Sequence, residues 1–315
     1  KMSEIVKLNS FILQQVSFRD LAEHLHECKV TSTADFEWMC RLKYQYTKKD
    51  EAAGTETELS LRTDGSWNVR YGFEYYGKNA RLVVTPTAER VLVRLFYAMR
   101  QWCGGALQGA EGGANLNVAS ELAVIVGRPI VHVNGSMLTQ EKSIVDVFHL
   151  ALGTSAIACI QFIDRLSKAL HSRIGEMMHA IRKAVKAKEM HCKLQQNSSI
   201  VDKFSKAAIA SGEEMHVQIG IFVQCSVPFS GDHTKLPPTI HSHFRPITVT
   251  LPPLELVVRM LLHSEGFIEV GSIAIAAVES IGECENLFTT LKMTAMQKLN
   301  IAKSAIRSAS ILLRS

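Results

Sequence analysis

The sequence predicts an α/β fold, a parallel sheet with crossover helices, followed by a smaller all-helical unit. Three observations carry this reading. Between residues 81 and 251, short apolar strand-like runs alternate with helical stretches, the order that builds parallel rather than hairpin sheets. A glycine-rich stretch, "GGALQGAEGGANLNVASELA" (104–123), lies between two apolar runs, at the place of a strand-to-helix loop. From Leu254 onward the pattern is helical.

The elements follow in order. Ile5, Leu8, Ile12, Val16, Leu21 and Leu25 recur at helical spacing and predict a helix over 4–28. Thr31 to Asp35 offer an N-cap cluster for a second, short helix. "ELSLRTDGSWNVRYGFEYYG" reads as two strands around Asp64-Gly65, a hairpin turn signal. An apolar strand-like piece at 81–86 precedes a helix from Glu89 to Trp102, the glycine loop, and a helix ending at Val126. "PIVHV" and "SAIACIQFI" are buried-strand runs flanking a helix near 140–152. Residues 165–194 carry a long apolar stripe from Leu166 to Leu194 and predict the strongest helix. "VQIGIFVQC" and "PITVTL" are the last strands, separated by a proline-bearing loop, and Pro252-Pro253 close the sheet region.

At 315 residues, 47% hydrophobic and 21% charged, the chain has the composition of a soluble globular protein with more than one packing unit. A net charge of +5 is too mild to imply a nucleic-acid partner. Seven scattered cysteines without a C-x-x-C pair favour reduced thiols over a disulfide framework and hence a cytoplasmic setting. No apolar run approaches the roughly 18 residues a membrane span needs, and no signal peptide is seen. The chain begins and ends inside helix-like sequence and is expected to be part of a longer protein.

The glycine loop raises the question of phosphate binding. A working loop reads G-x-x-x-x-G-K-[ST], because backbone N–H groups cradle phosphate, the lysine reaches its terminal oxygens and the hydroxyl holds magnesium. Counted from Gly109, the last three positions here are Ala114, Asn115 and Leu116. The cradle glycines Gly109, Gly112 and Gly113 are present, and the two chemical side chains are not. Asp164 follows an apolar run and reads either as a metal-holding acid at a strand end or, the favoured alternative, as an N-cap for a helix starting at Arg165. His233, His241 and His243 share a proline-rich loop but lack a credible fourth ligand, so no metal site is expected. The helix at 165–194 holds eight Lys or Arg against two Glu; a solvated face is favoured, a surface for an acidic partner is the sharper alternative, and the absence of interleaved aromatics disfavours nucleic acid. No G-x-S-x-G nucleophile elbow is present.

Taken in order, "DFEWMCRLKYQY", "YGFEYYGKNARLVVTPTAERV", "GGALQG", "VHVNGS", "LPPTIHSHFRPITVTLPP" and "HSEGF" resemble the first AAA+ module of dynein heavy chains together with the end of the linker before it. The resemblance runs from about residue 15 to about residue 310 and rests on dynein-specific segments such as "DFEW", "FEYYG" and "RLVVTP". It implies an AAA+ P-loop NTPase fold, a parallel five-stranded sheet with flanking helices plus a small helical lid. It divides the chain into a helical linker end (1–50), a large α/β subdomain with an N-terminal β-hairpin (51–251) and the lid (252–315).

The departures from the family pattern are concentrated in its chemistry. The phosphate loop G-P-A-G-T-G-K-T falls on residues 109–116, so its lysine becomes Asn115, its magnesium hydroxyl becomes Leu116, and Glu111 adds a negative charge. The Walker B stretch C-F-D-E-F-N-R falls on residues 159–165, so the magnesium aspartate becomes Gln161 and the catalytic glutamate Phe162. The sensor asparagine falls on Ser226, and the lid arginine falls nearest Ser304, with Ala302 or Lys303 in neighbouring registers. Val83, Val84, Thr85 and Pro86 match the stretch bordering the adenine, and Arg245 matches the arginine-finger position, with a structural role expected. Losing one charge-stabilising donor typically costs about 10²–10³ in rate, and here several are lost together. The resemblance therefore implies a degenerate module without ATP hydrolysis, requiring no cofactor, with ATP or ADP retained at most as a structural ligand. It implies as partners the linker and neighbouring AAA+ modules of the same chain and, through the parent protein, dynein-type light or intermediate chains and microtubules. The lost motifs point to a divergent branch of the family in the axoneme of cilia or the sperm flagellum.

Overall fold

The computed structural model describes residues 2–48, 58–63, 68–77, 83–101, 103–110, 115–186, 220–227, 238–250, 253–287 and 295–314. The chain opens with α1 (Met2–Glu27) and a short α2 (Phe36–Met39). Asp35 organises the turn between them, its carboxylate accepting from the backbone N–H groups of Thr31 and Ser32 at 2.9 Å each, which holds its pKa below the usual value. Then β1 (Lys43–Thr47), β2 (Glu58–Arg62) and β3 (Asn68–Arg70) form an antiparallel sheet in that order. The expected hairpin is β2–β3, while Asp64 and Gly65 lie outside the described residues. β1 corrects the helical reading of residues 1–50: "KYQYT" pairs along its whole length with β2, so residue 50 falls between two partners of one sheet. Tyr44 and Tyr46 are good strand formers with no helical apolar spacing to oppose them.

The larger sheet is built from β4 (Gly104–Ala110), β5 (Ile130–Asn134), β6 (Ile157–Gln161), β7 (Gly220–Val227) and β8 (Phe244–Thr248). All neighbours are parallel, in the order β5-β6-β7-β4-β8. Two expectations are corrected here. The first half of the glycine stretch is not a loop but the strand β4, flanked on both sides. Residues 83–85 are not a strand: Thr85 is the N-cap of α3 (Pro86–Arg100), accepting from the Ala88 N–H at 3.3 Å, with Pro86 preset for the first helical turn.

Burial explains the layering. Along β6 every residue is buried, with Ile157 and Cys159 facing α3 and α4 (Asn115–Val126), and Ala158 and Ile160 facing α5 (Glu141–Thr154) and α6 (Lys168–Lys186). Phe96, Leu122 and Phe222 fill the first layer, and Phe148, Ile174 and Met177 the second. α7 (Pro238–His241) leads into β8. After Pro253 come α8 (Leu254–Ser264), α9 (Val270–Leu287) and α10 (Ala295–Arg314), which bury Val258, Leu262, Ala274 and Ile306 in a core of their own.

Two junctions tie these units together. The last carbonyls of α4 would be orphaned, and the preceding segment satisfies them. Tyr44 Oη donates to Ile125 O, Gly72 N to Val126 O, Glu74 N to Gly127 O, and Tyr76 Oη to Arg128 O. Gly127 has φ +67, and a Cβ there would meet the Tyr71 ring at 2.5 Å, so glycine is required on both counts. At the other end, Glu265 accepts from Asn9 of α1 and Ser310 of α10, both at 2.9 Å, while Leu13 of α1 packs with Val257 and Met260 of α8.

Candidate functional site

The carboxyl ends of a parallel sheet are where its loops gather, and the expected phosphate-site residues fall there. Gly109 lies near the end of β4 and pairs in register with Ser226 of β7, so the phosphate-loop and sensor positions are neighbours. Beyond β4, Gly112 and Gly113 lie outside the described residues, and the chain re-emerges at Asn115 and Leu116 as the first residues of α4. Two strands from β4, β6 ends at Gln161, which is buried.

The end of β6 is locked. Gly135, just past β5, donates its N–H to Gln161 O at 2.9 Å. A Cβ at Gly135 would meet Phe162 O at 2.6 Å and Gln161 O at 2.7 Å, so the two strand ends are in backbone contact. Phe162 follows in the left-handed region at φ 50, ψ 48, uncommon for a bulky residue, and its ring carries the Arg165 guanidinium at 4.4 Å. Asp164 sits half-buried within a 3-10 turn, Ile163–Arg165. The expectation that Asp164 caps a helix from Arg165 is corrected. The long helix starts at Lys168, and the Ser167 hydroxyl accepts from the Leu170 N–H at 3.4 Å. Leu166 and Ser167 lie between the turn that holds Asp164 and that helix. His171, which the sequence reading passed over, is buried on α6 with its Nε2 at 2.6 Å from Ile163 O, pinning the turn from below. The signal for it was a lone histidine beside the apolar stripe of Leu166, Leu170 and Ile174.

The adenine-side stretch is distributed differently. Val83 is buried with Leu13 of α1 and Val257 and Met260 of α8; Val84 is half-buried; Thr85 is buried at its cap; Pro86 is exposed. Val83 alone of the four therefore lies at the seam between α1 and α8, while Thr85 and Pro86 open α3. Arg41 ties the linker end to the same helix by an ion pair with Glu89, whose carboxyl is raised by burial against the opposing pull of Arg41. Arg245 is exposed on β8, in register with Gly105. Four residues separate Gly105 from Gly109, about 13 Å along the strand. Arg245 is thus remote from its own module's phosphate end. In the lid, Ala302 is buried in the helical core, while Lys303 and Ser304 are exposed on α10.

Among the described residues no three His, Cys, Asp or Glu side chains come together in a metal-holding group. His241 is exposed, His243 half-buried, and His233 lies outside the described residues. No described helix is long and apolar enough to cross a membrane.

An all-parallel sheet in this order, with a glycine-bearing central strand feeding a helix and a three-helix unit after the last strand, defines an AAA+ P-loop-type α/β module. Residues 71–315 match the family described as "Hydrolytic ATP binding site of dynein motor region". The chain belongs to that family. It is 25% identical over 269 residues to dynein axonemal heavy chain 10 of Homo sapiens, covering 85% of this chain and 6% of that one. It is 26% identical over 263 residues to the dynein-1-beta heavy chain, flagellar inner arm I1 complex, of Chlamydomonas reinhardtii, covering 83% and 5%. Cytoplasmic dynein 2 heavy chain 1 of Rattus norvegicus is 25% identical over 264 residues, 83% of this chain and 6% of its own. The chain thus spans about a twentieth of the length of these relatives.

Proposed function

We propose that this module is a non-hydrolysing member of a dynein-type motor ring, serving as scaffold and docking unit in a ciliary or flagellar heavy chain. The observation that carries the reading is the end of β6, where Gln161 and Phe162 stand in place of a magnesium ligand and a water-activating carboxylate. Phosphoryl transfer leaves the protein little to supply beyond charge stabilisation and positioning, so these losses remove nearly all of it. Asn115 and Leu116 at the start of α4 remove the phosphate lysine and the magnesium hydroxyl as well. Its partners in this reading are the linker and adjacent AAA+ modules of its own chain. Dynein-type light or intermediate chains and microtubules would be engaged by the parent protein, in a cytoskeletal, axonemal setting that includes the sperm flagellum.

A second reading keeps ADP or ATP as a structural ligand without turnover. It is supported by the retained adenine-side residues Val83, Val84, Thr85 and Pro86 of the family pattern and by the N-terminus of α4, since helix N-termini attract anions. Calorimetric titration with ADP and ATPγS, with and without magnesium, alongside a phosphate-release assay, tests both. No heat and no release from folded protein is the expected result; tight, magnesium-independent binding without release would establish the second reading. Magnesium-dependent turnover near about 1 s⁻¹, the low end of ordinary enzymes, would overturn both.

A further inference from the structure

Away from the sheet's carboxyl edge, α6 and the turn from α7 into β8 bring three basic side chains together. The rings of His179 and His243 meet edge to face at 6.0 Å, with an interplanar angle of 67°. The third is Arg182, three residues on from His179 and so on the same side of α6. The Nδ1 atom of His243 is shut off from solvent without a hydrogen-bond partner. Nearer the start of the helix, Arg173 is held by Glu141 of α5 at 3.0 Å and Glu176 at 2.9 Å. Arg182 has no carboxylate partner among the described residues, and the side chains that act on His243 are both basic, Arg182 and His179. The other ionisable groups on these elements are Lys168, His171, Arg173, Glu176, Lys183 and Lys186 on α6, His241 on α7 and Arg245 on β8, and the one carboxylate among them, Glu176, is paired with Arg173.

We propose that His179, Arg182 and His243 form a binding site for an oxyanion, a carboxylate or phosphate group brought from outside the chain. Two imidazoles and a guanidinium converging from two elements present several N–H donors and no acceptor charge. The planar fork of Arg182 suits two oxygens of one anion. This site narrows the basic-helix surface to one end of α6, and it does not rest on the module's hydrolytic state.

The site carries a pH signature. Burial, then Arg182 and His179, lower the His243 pKa below 6.5, so the empty site holds this ring neutral at physiological pH. An anion beside it raises that pKa, so binding takes up a proton and strengthens as pH falls. The test is calorimetric titration of the 315-residue chain at low ionic strength. The probes are inorganic phosphate and, separately, a capped tetraglutamate peptide, each in two buffers of different ionisation enthalpy. The expected result is binding about tenfold tighter near pH 6 than near pH 8, with net proton uptake. Arg182→Gln should weaken it about tenfold, Arg182→Lys less, and His243→Gln should flatten the pH dependence. Preference for phosphate would identify a free anion as occupant, and preference for the peptide a protein-borne carboxylate. Absence of binding by both probes near pH 6, or binding indifferent to pH and to Arg182→Gln, would overturn the proposal.

Discussion

Gly135→Ala tests the lock between β5 and β6 with one methyl group. Gly135 does not have a left-handed φ, so alanine meets no conformational barrier, and its cost comes from contact alone. The added Cβ would stand 2.6 Å from Phe162 O and 2.7 Å from Gln161 O, both backbone atoms with no rotamer to escape into. Forcing the strands apart strains a packed core by about 1–3 kcal/mol. It also breaks the Gly135 N–H bond to Gln161 O, a net loss of about 1 kcal/mol. The sum, about 3 kcal/mol, corresponds for a 315-residue chain to a thermal midpoint lower by about 5 °C. Circular dichroism melting of the purified chain measures it. A midpoint within about 1 °C of the parent would refute the reasoning, since it would mean that the strand ends separate freely.

Four further outcomes follow from the same geometry. Gly282→Ala, inside α9 with nothing near its added Cβ, should stabilise the lid by about 0.5–1 kcal/mol in denaturant unfolding. Ser167→Ala should cost about 1 kcal/mol by removing the cap from α6, read in the same assay. His171→Ala should cost about 1–3 kcal/mol, because it leaves the buried Ile163 carbonyl without its donor and the 3-10 turn unsupported. Burial pushes the Cys159 thiol up to about 12, above its unfolded value of 9.0, so its contribution to stability is complete below about pH 9 and fades as pH rises towards about 12; thiol labelling of native protein should modify exposed Cys28 and Cys284 and spare Cys159 until unfolding.

The sequence made some parts of this molecule plain and hid others for physical reasons. β6 was legible because "IACIQ" is buried on both faces and reads as an unbroken apolar run. β4 was hidden because glycine is a poor strand former, yet β4 needs it. A Cβ at Gly105 would meet Leu95 Cδ2 at 2.7 Å and Phe222 Cδ1 at 3.0 Å, so the central strand thins to let α3 and β7 close in. Of the candidate site, the placement of Gln161 and Phe162 at a strand end followed from motif order, while the register of Gly109 with Ser226 emerged only from the pairing of β4 with β7. The capping role of Ser167, the pin from His171 and the contact at Gly135 could not, because each depends on a turn whose course no spacing rule encodes. The sequence places Arg245 just ahead of the strand "PITVTL", whereas it stands within β8, and its distance from Gly109 emerged only from the β4–β8 register.

The bonds from Asn9 and Ser310 to Glu265 give α1 a mechanical meaning. They fasten it to the C-terminal helical unit near one end. From Asn9 to Glu27 the helix runs about 27 Å, so a rotation of about 10° about that pin would carry its far end through about 5 Å, and a small tilt there would become a larger displacement where α1 turns towards α2.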